Sequence, residues 1–257
     1  MSATTLTEPL HLNADGATAR PGLDRLVAVE LRKIVDTRAG FWMQVATVAL
    51  TVIVVIARLV TGEAADHTFA SVLTVAIKPA AVLLPIAGIL LVTSEWSQRT
   101  GMITFALVPV RSRVVGAKIV ASLILASVML AVTVAATAAG VAAAGGAWDG
   151  AATLVAQSSV YLGGGMLTGV AFGMVALAST AAMLALFALP IAFTGLATLS
   201  FLADAGPWLD TRLSLGPMPE EVLTGTQWAH SGTSLALWML LPLLIGAWRI
   251  TRREVAA

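Results

Sequence analysis

The charged residues with the most distinctive spacing lie in the segment 93–118 of the 257-residue sequence. Glu95 precedes Arg99 by four positions, so on a helix the two side chains would face each other in the favourable acid-first order. Further basic residues stand where the next apolar run begins, at Arg111, Arg113 and Lys118. Such a segment could dock by salt bridges into a cytoplasmic partner. A plain basic loop would account for the charges equally well.

Motifs for independent catalysis or energy coupling are missing from the sequence. It has no G-x-x-x-x-G-K-[ST] loop, no H-E-x-x-H pair, no G-x-S-x-G elbow and no cysteine. Lys78 is the one ionisable residue well inside an apolar run, and we expect it to reach outward or to pair with Glu63 or Asp66. We therefore expect no catalytic residue, no metal site and no cofactor in this chain, which is not itself an enzyme.

The composition places these residues in a membrane protein. Hydrophobic residues make up 58% of the chain and charged residues 11%, with a net charge of +1, and the mean hydropathy is +0.90. Soluble domains carry about 25% charged residues, so this chain lacks the charge to cover a water-facing surface. The net charge also argues against nucleic acid as a partner. We predict an all-α integral membrane protein.

Six apolar runs have the length that a transmembrane helix needs. A stretch of 54 residues from Gly150 to Ala203 has no charged residue or histidine, which fits two spans joined by a turn near Ser179–Thr180. Before the first span, residues 23–38 predict an amphipathic helix lying in the headgroup region, preceded by a disordered cytoplasmic tail, 1–22. The six-span domain covers 23–253, with spans at about 41–60, 72–92, 114–140, 153–176, 181–202 and 233–250.

The distribution of basic residues predicts the orientation. With the N-terminus in the cytoplasm, 12 of the 15 basic residues fall on inner segments, as the positive-inside rule requires. Five spans would instead put the cluster Arg249–Arg253 outside. We therefore predict six spans with both termini cytoplasmic, in the cell membrane.

Small and apolar residues in the fourth and fifth spans have two interpretations. Gly165, Gly169 and Gly173 recur every four positions, which allows close helix approach either within the chain or at a subunit interface. Large apolar residues nearby could line a pathway or belong to plain helix packing. These are Met166, Phe172, Met174 and Phe187.

From residue 23 to 253 the chain resembles the permease subunit of bacterial type-2 ABC transporters, the six-span exporter class. The resemblance lies in the pre-span segment LVAVELRKIVDTRAGFW, in the segment SEWSQRTGMITFALVPVRSRVVGAK and in the order of the spans. One departure is the turn 177–182, which has no basic residue where many relatives carry one. The matching positions, implied to couple to an ATPase, are Glu30, Arg32, Lys33, Glu95, Trp96, Arg99, Thr100, Arg111, Arg113 and Lys118.

The resemblance implies a partnership. Two permease subunits, expected to be identical, would assemble with two separate ATP-binding subunits that hold the ATP and Mg. The cargo would be a hydrophobic or amphiphilic small molecule such as a drug, lipid or peptide. The alternatives are a membrane anchor or scaffold that transports nothing, or an ion-exporting permease of the same architecture.

Overall fold

The computed structural model describes residues 22–63, 67–97, 110–196 and 204–252. Within these ranges the regular structure is helical, with no strand. The helices are α1 (Leu23–Asp36), α2 (Arg38–Thr61), α3 (Phe69–Ala76), α4 (Lys78–Ser97), α5 (Arg111–Ala144), α6 (Ala151–Ala176), α7 (Ser179–Leu196), α8 (Gly206–Leu209), α9 (Thr211–Leu215), α10 (Gly225–Leu235), a π-helical turn (Ala236–Leu240) and α11 (Leu241–Arg252).

Six helical stretches of the described chain are long and apolar enough to cross a membrane, so the predicted all-α architecture with six such helices is confirmed. Two of them are composite: α3 and α4 join at Ile77, and α10 joins α11 through the π-helical turn. The sixth begins at Gly225 rather than at Thr233, because polar residues of α10 continue the helix outward. The stretches are Arg38–Thr61, Phe69–Glu95, Arg111–Ala144, Ala151–Ala176, Ser179–Leu196 and Gly225–Arg252.

Helix α6 is the centre of the bundle. It packs most extensively against α4 and also contacts α5, α7 and α11. Its buried face includes Leu162, Met166, Val170 and Met174, which join cores shared with α4, α5 and α11. The position of α6 therefore decides where the ends of its neighbours meet.

The glycines of α6 bring this helix against α4 within the chain. A Cβ on Gly169 would lie 1.9 Å from the carbonyl oxygen of Pro85, and one on Gly173 would lie 3.2 Å from the carbonyl oxygen of Ile89. Gly88 on α4 is equally restricted, since its Cβ would lie 2.6 Å from the carbonyl oxygen of Met166. Gly169 and Gly173 thus allow close packing inside one subunit. A role of the glycine repeat at a subunit interface stays a prediction.

Two short connections fix the helix ends around the candidate site. Thr37 separates α1 from α2, and its hydroxyl accepts a hydrogen bond from the Gly40 amide at 3.1 Å. Leu177 ends α6 in a left-handed conformation at φ 57°, and α7 begins at Ser179, where the sequence places the turn. The chain therefore reverses within two residues between α6 and α7.

Candidate functional site

Four charged side chains from three helices meet in one cluster, which we call the charge cluster: Glu30 and Lys33 of α1, Glu95 of α4 and Lys118 of α5. Lys118 Nζ lies 2.8 Å from Glu30 Oε2 and 3.0 Å from Glu95 Oε1. Lys33 Nζ lies 2.8 Å from Glu30 Oε1 and 2.5 Å from Glu95 Oε1. Each ammonium thus contacts both carboxylates, and the four charges sum to zero.

Lys118 has a complete set of hydrogen-bond acceptors although it is buried. Only 4% of the residue is exposed, and the ammonium donates to the two carboxylates and to the Leu91 carbonyl oxygen at 3.2 Å. An ammonium has three protons, so none is left without a partner. Glu30 and Glu95 are also buried. Loss of one member of such a cluster strands an opposite charge in a low-dielectric environment, which is costly.

Lys33 closes the cluster on its more accessible side. Burial lowers the pKa of the Lys33 ammonium, but the charges and hydrogen bonds of Glu30 and Glu95 outweigh that effect and leave the pKa raised. A raised pKa in the folded state means that the contribution of Lys33 to stability is present at neutral pH. It would be lost only as the pH rises through the raised value.

The sequence predicted these four residues as separate positions, and the structure brings them together by helix packing. Helix α1 buries Glu30 on the same face as Val27 and Ile34, and this face packs against α5, where Ala117 and Ala121 flank Lys118. Small side chains at those two positions let α1 approach closely. The last turns of α4 then supply Glu95 from the other side of the cluster.

The other predicted coupling residues lie around the cluster or outside the described residues. Arg111 Nη1 donates to the Ile250 carbonyl oxygen at 3.3 Å, Arg113 is half-buried, and Arg32 is exposed on α1. The backbone of Trp96 continues α4. Arg99 and Thr100 lie outside the described residues, so the predicted contact of Arg99 with Glu95 stays a prediction.

Two contacts near the cluster were not among the predicted site residues. Arg249 Nη1 donates to the carbonyl oxygen of Val175, one of the last carbonyls of α6, which have no partner inside the helix. The Thr93 and Ser179 hydroxyls lie 2.8 Å apart and join α4 to the start of α7. A basic residue in the last turn of α11 was the available signal for the first contact; nothing in the sequence pointed to the second.

These contacts bring several helix ends together at one end of the bundle. They are α1, the C-terminal ends of α4, α6 and α11, and the N-terminal ends of α5 and α7. We call this the basic end of the bundle. Most of the described basic residues belong to helix segments there: Arg25, Arg32, Lys33, Arg38, Arg111, Arg113, Lys118, Arg249 and Arg252. At the opposite end lie Arg58, Lys78 and Arg212.

A cavity of about 750 Å³ lies between α4, α6, α7 and the segment that contains α9. Phe172 and Phe187, two of the predicted pathway residues, line it together with Pro85 and Leu186. Met166 and Met174, the other two, do not line it. Both are fully buried in cores on other faces of α6, because successive positions of a helix point in different directions.

Gln157 of α6 fastens the segment after α9 over the opposite end of the bundle. Its side-chain amide donates to the carbonyl oxygens of Met218 at 2.8 Å and Glu221 at 2.7 Å, and its Oε1 accepts from the Leu223 amide at 2.9 Å. The buried glutamine therefore satisfies three backbone groups of an irregular segment. This side chain was not among the predicted site residues, since its partners lie more than 60 positions away.

Comparisons with protein-family models, with curated proteins and with solved structures gave no match to the chain. The chain is a multi-pass membrane protein by its six apolar helices.

Proposed function

We propose that the chain is the transmembrane permease subunit of an ATP-driven ABC exporter and forms the translocation pathway. In this proposal the basic end faces the cytoplasm of the cell, both termini lie there, and α1 lies in the headgroup region. A separate ATP-binding subunit supplies the energy. The observation that carries the proposal is the charge cluster, because it joins three chain segments at the end where a cytoplasmic motor would bind.

The charge cluster suits the transmission of movement. It ties α1 to the end of α4 and the start of α5, so displacement of one of these elements is passed to the other two. Packed cores and hydrogen-bonded charges are stiff, and a stiff connection is what rigid-body coupling between subunits needs. The predicted docking segment leaves α4 two residues after Glu95 and returns at the start of α5.

The surrounding basic residues provide contact points for the motor. Arg32 is exposed on α1 beside the cluster and is available for an acidic group on a partner. In the proposal Trp96, Arg99, Thr100, Arg111 and Arg113 belong to the same docking surface. ATP and Mg are bound by the partner subunit, of which two copies act on a pair of permease subunits that we expect to be identical.

The cavity supports a role in moving a hydrophobic or amphiphilic small molecule. Its volume falls within the range of about 300–1,000 Å³ that is typical of ligand pockets, and such pockets are mostly apolar with a few polar groups. The aromatic and aliphatic side chains of α4, α6 and α7 give it that character. A membrane anchor or scaffold has no need for such a cavity, and an ion pathway would need more charge inside the spans.

The test is to isolate the chain from its native membrane in mild detergent and to identify the proteins that remain bound. We expect a P-loop ATPase in stoichiometric amount, and ATP hydrolysis in reconstituted vesicles that depends on the chain. Recovery of the intact chain with no ATPase would contradict the proposal and favour an anchor or scaffold.

Variants then test the coupling surface. Arg32→Ala should weaken ATPase association or uncouple hydrolysis from transport while the chain keeps its stability, because the exposed side chain has no partner among the described residues. Glu95→Gln should uncouple by weakening the charge cluster. Glu63→Gln is the matched control, since this exposed acid lies at the opposite end. Wild-type coupling in the Arg32 and Glu95 variants would remove the assigned role of these residues.

A further inference from the structure

The charged residues that line the cavity are separated along its length from its deeper aromatic and proline residues. Tyr161 and Phe172, both on α6, are 11 positions apart, which corresponds to about 16 Å along a helix. Lys78, the first residue of α4, and Thr194, near the end of α7, lie at the opposite end of the bundle, and Tyr161 lies ten residues into α6 from that end. Pro85, Phe172 and Leu186 lie deeper. The cavity thus has a polar mouth at the opposite end and an apolar interior.

Two cations at this mouth have no ionic partner in the described part of the chain. Lys78 and Arg212 both line the cavity and are both exposed, and no carboxylate of a described residue lies within 4.0 Å of either side chain. The sequence had suggested that Lys78 reaches outward or pairs with Glu63 or Asp66. In the structure Lys78 has no ion pair with Glu63, and Asp66 lies outside the described residues.

The acids near the mouth leave an excess of positive charge. Glu220 lines the cavity and is exposed, so among the described residues the charges that line it sum to +1. Asp210 does not line the cavity. Its carboxylate accepts hydrogen bonds from the Thr194 hydroxyl at 2.8 Å and from the Arg212 backbone amide at 2.8 Å. Both carboxylate oxygens of Asp210 are therefore engaged by neighbouring groups of the chain.

We propose that the cavity binds a single-chain anionic amphiphile, with the carboxylate at Lys78 and Arg212 and the apolar chain between α4, α6 and α7. The two exposed cations attract a carboxylate to the mouth, and the deep aromatic and proline residues provide the apolar contacts. This inference rests on the proposed function in that it names the substrate class. The binding site itself requires only this chain.

The test uses the full chain in lipid nanodiscs with a photoreactive diazirine palmitate. Two probes of equal chain length, a diazirine hexadecanol and a diazirine hexadecylamine, serve as matched controls. After irradiation, mass spectrometry maps the labelled residues. We expect the palmitate to label lining residues such as Phe187, Ile191 and Leu215 at least several-fold more than either control. Excess dodecanoate should compete, whereas phosphatidylglycerol added to the discs should not, because a soluble single-chain amphiphile is the proposed ligand.

Charge variants complete the test. Lys78→Gln and Arg212→Gln should each lower palmitate affinity about tenfold, because each removes a charge-assisted hydrogen bond to the carboxylate, and neither should change hexadecanol labelling. Glu220→Gln should leave palmitate affinity unchanged or raise it. Equal labelling by palmitate and hexadecylamine, unchanged affinity in both cation variants, or competition by phosphatidylglycerol would overturn the inference. If an ATPase co-purifies with the chain but the palmitate labelling is not specific, the proposed ligand class is rejected and the exporter proposal is not. If the labelling is specific but no ATPase co-purifies, the exporter proposal is rejected and the ligand class is not.

Discussion

Lys118 Nζ lies 2.8 Å from Glu30 Oε2, although the two residues are 88 positions apart in the sequence. The contact ties the first helix of the described chain to the second turn of α5, and Glu95 joins it from α4. Because all three residues are buried, their charges stabilise the fold only as a group. Together with the apolar contacts of Val27 and Ile34, this group holds α1 against the bundle.

Removal of Lys118 should destabilise the protein strongly. Lys118→Met leaves two buried carboxylates with Lys33 as their only described cation, and such a loss costs about 3–5 kcal/mol. Denaturation in mixed detergent and SDS measures the change. Lys78→Met is the matched control, because it removes a lysine from the composite span of α3 and α4 without breaking an ion pair to any described residue, and it should leave stability nearly unchanged.

A second substitution shows whether the instability of Lys118→Met comes from an unpaired buried carboxylate or from lost side-chain packing. Adding Glu95→Gln to Lys118→Met neutralises one of the stranded carboxylates, so the double variant should recover part of the lost stability. Purely additive losses in the two variants would mean that the residues do not interact in the folded protein.

Replacement of Gln157 should loosen the segment after α9. Gln157→Leu leaves the carbonyls of Met218 and Glu221 and the amide of Leu223 without their partner, at about 1–3 kcal/mol for each buried group that water does not reach. Faster hydrogen exchange over 217–224 is the expected result. Gln44→Leu is the control, because the Gln44 Oε1 is buried without a hydrogen-bond partner, and its loss should cost little. Equal exchange in both variants would show that Gln157 does not hold the segment.

A methyl group at Gly169 should force α6 away from α4. Its Cβ would lie 1.9 Å from a backbone oxygen that cannot rotate aside, so Gly169→Ala should lower stability by about 1–3 kcal/mol or more. Gly116→Ala on α5 meets no atom within 4 Å and should be neutral or stabilising by up to about 1 kcal/mol. The same SDS titration compares them, and a harmless Gly169→Ala would contradict the close approach of α6 and α4.

The orientation can be read from reporter fusions. A reporter placed after Trp148, between α5 and α6, should lie outside the cytoplasm, because the connection is at the end with few basic residues. A fusion after the last residue should report a cytoplasmic position. A cytoplasmic signal after Trp148 would reverse the proposed orientation and would place the cavity mouth on the inner side.

The sequence was sufficient for features that depend on local composition. Six apolar runs predicted six long helices, since the length of a run and its hydropathy are properties of neighbouring residues. The turn at Leu177, between two uncharged helices, was located within a few residues by the same reasoning. Glu95 and Lys118 were singled out by their positions beside such runs, whereas Glu30 and Lys33 were singled out by the resemblance to the permease family.

What local spacing could not supply was the partner of each residue. The i, i+4 rule predicts Arg99 as a partner of Glu95, and that contact stays a prediction. The same rule could not indicate that Lys33 and Lys118 lie against the Glu95 carboxylate. Residue type alone also grouped Met166 with Phe172, although one is packed in the core and the other lines the cavity.

The sequence by itself therefore determined a membrane protein with six apolar helices, few internal charges and a basic side. Only the tertiary structure decided that four of the charges form one neutral cluster, that the glycines of α6 join it to α4, and that Lys78 and Arg212 share a cavity. The physical reason is that hydropathy and helix period act between near neighbours, whereas ion pairs and cavities arise where packing brings distant segments within a few ångströms.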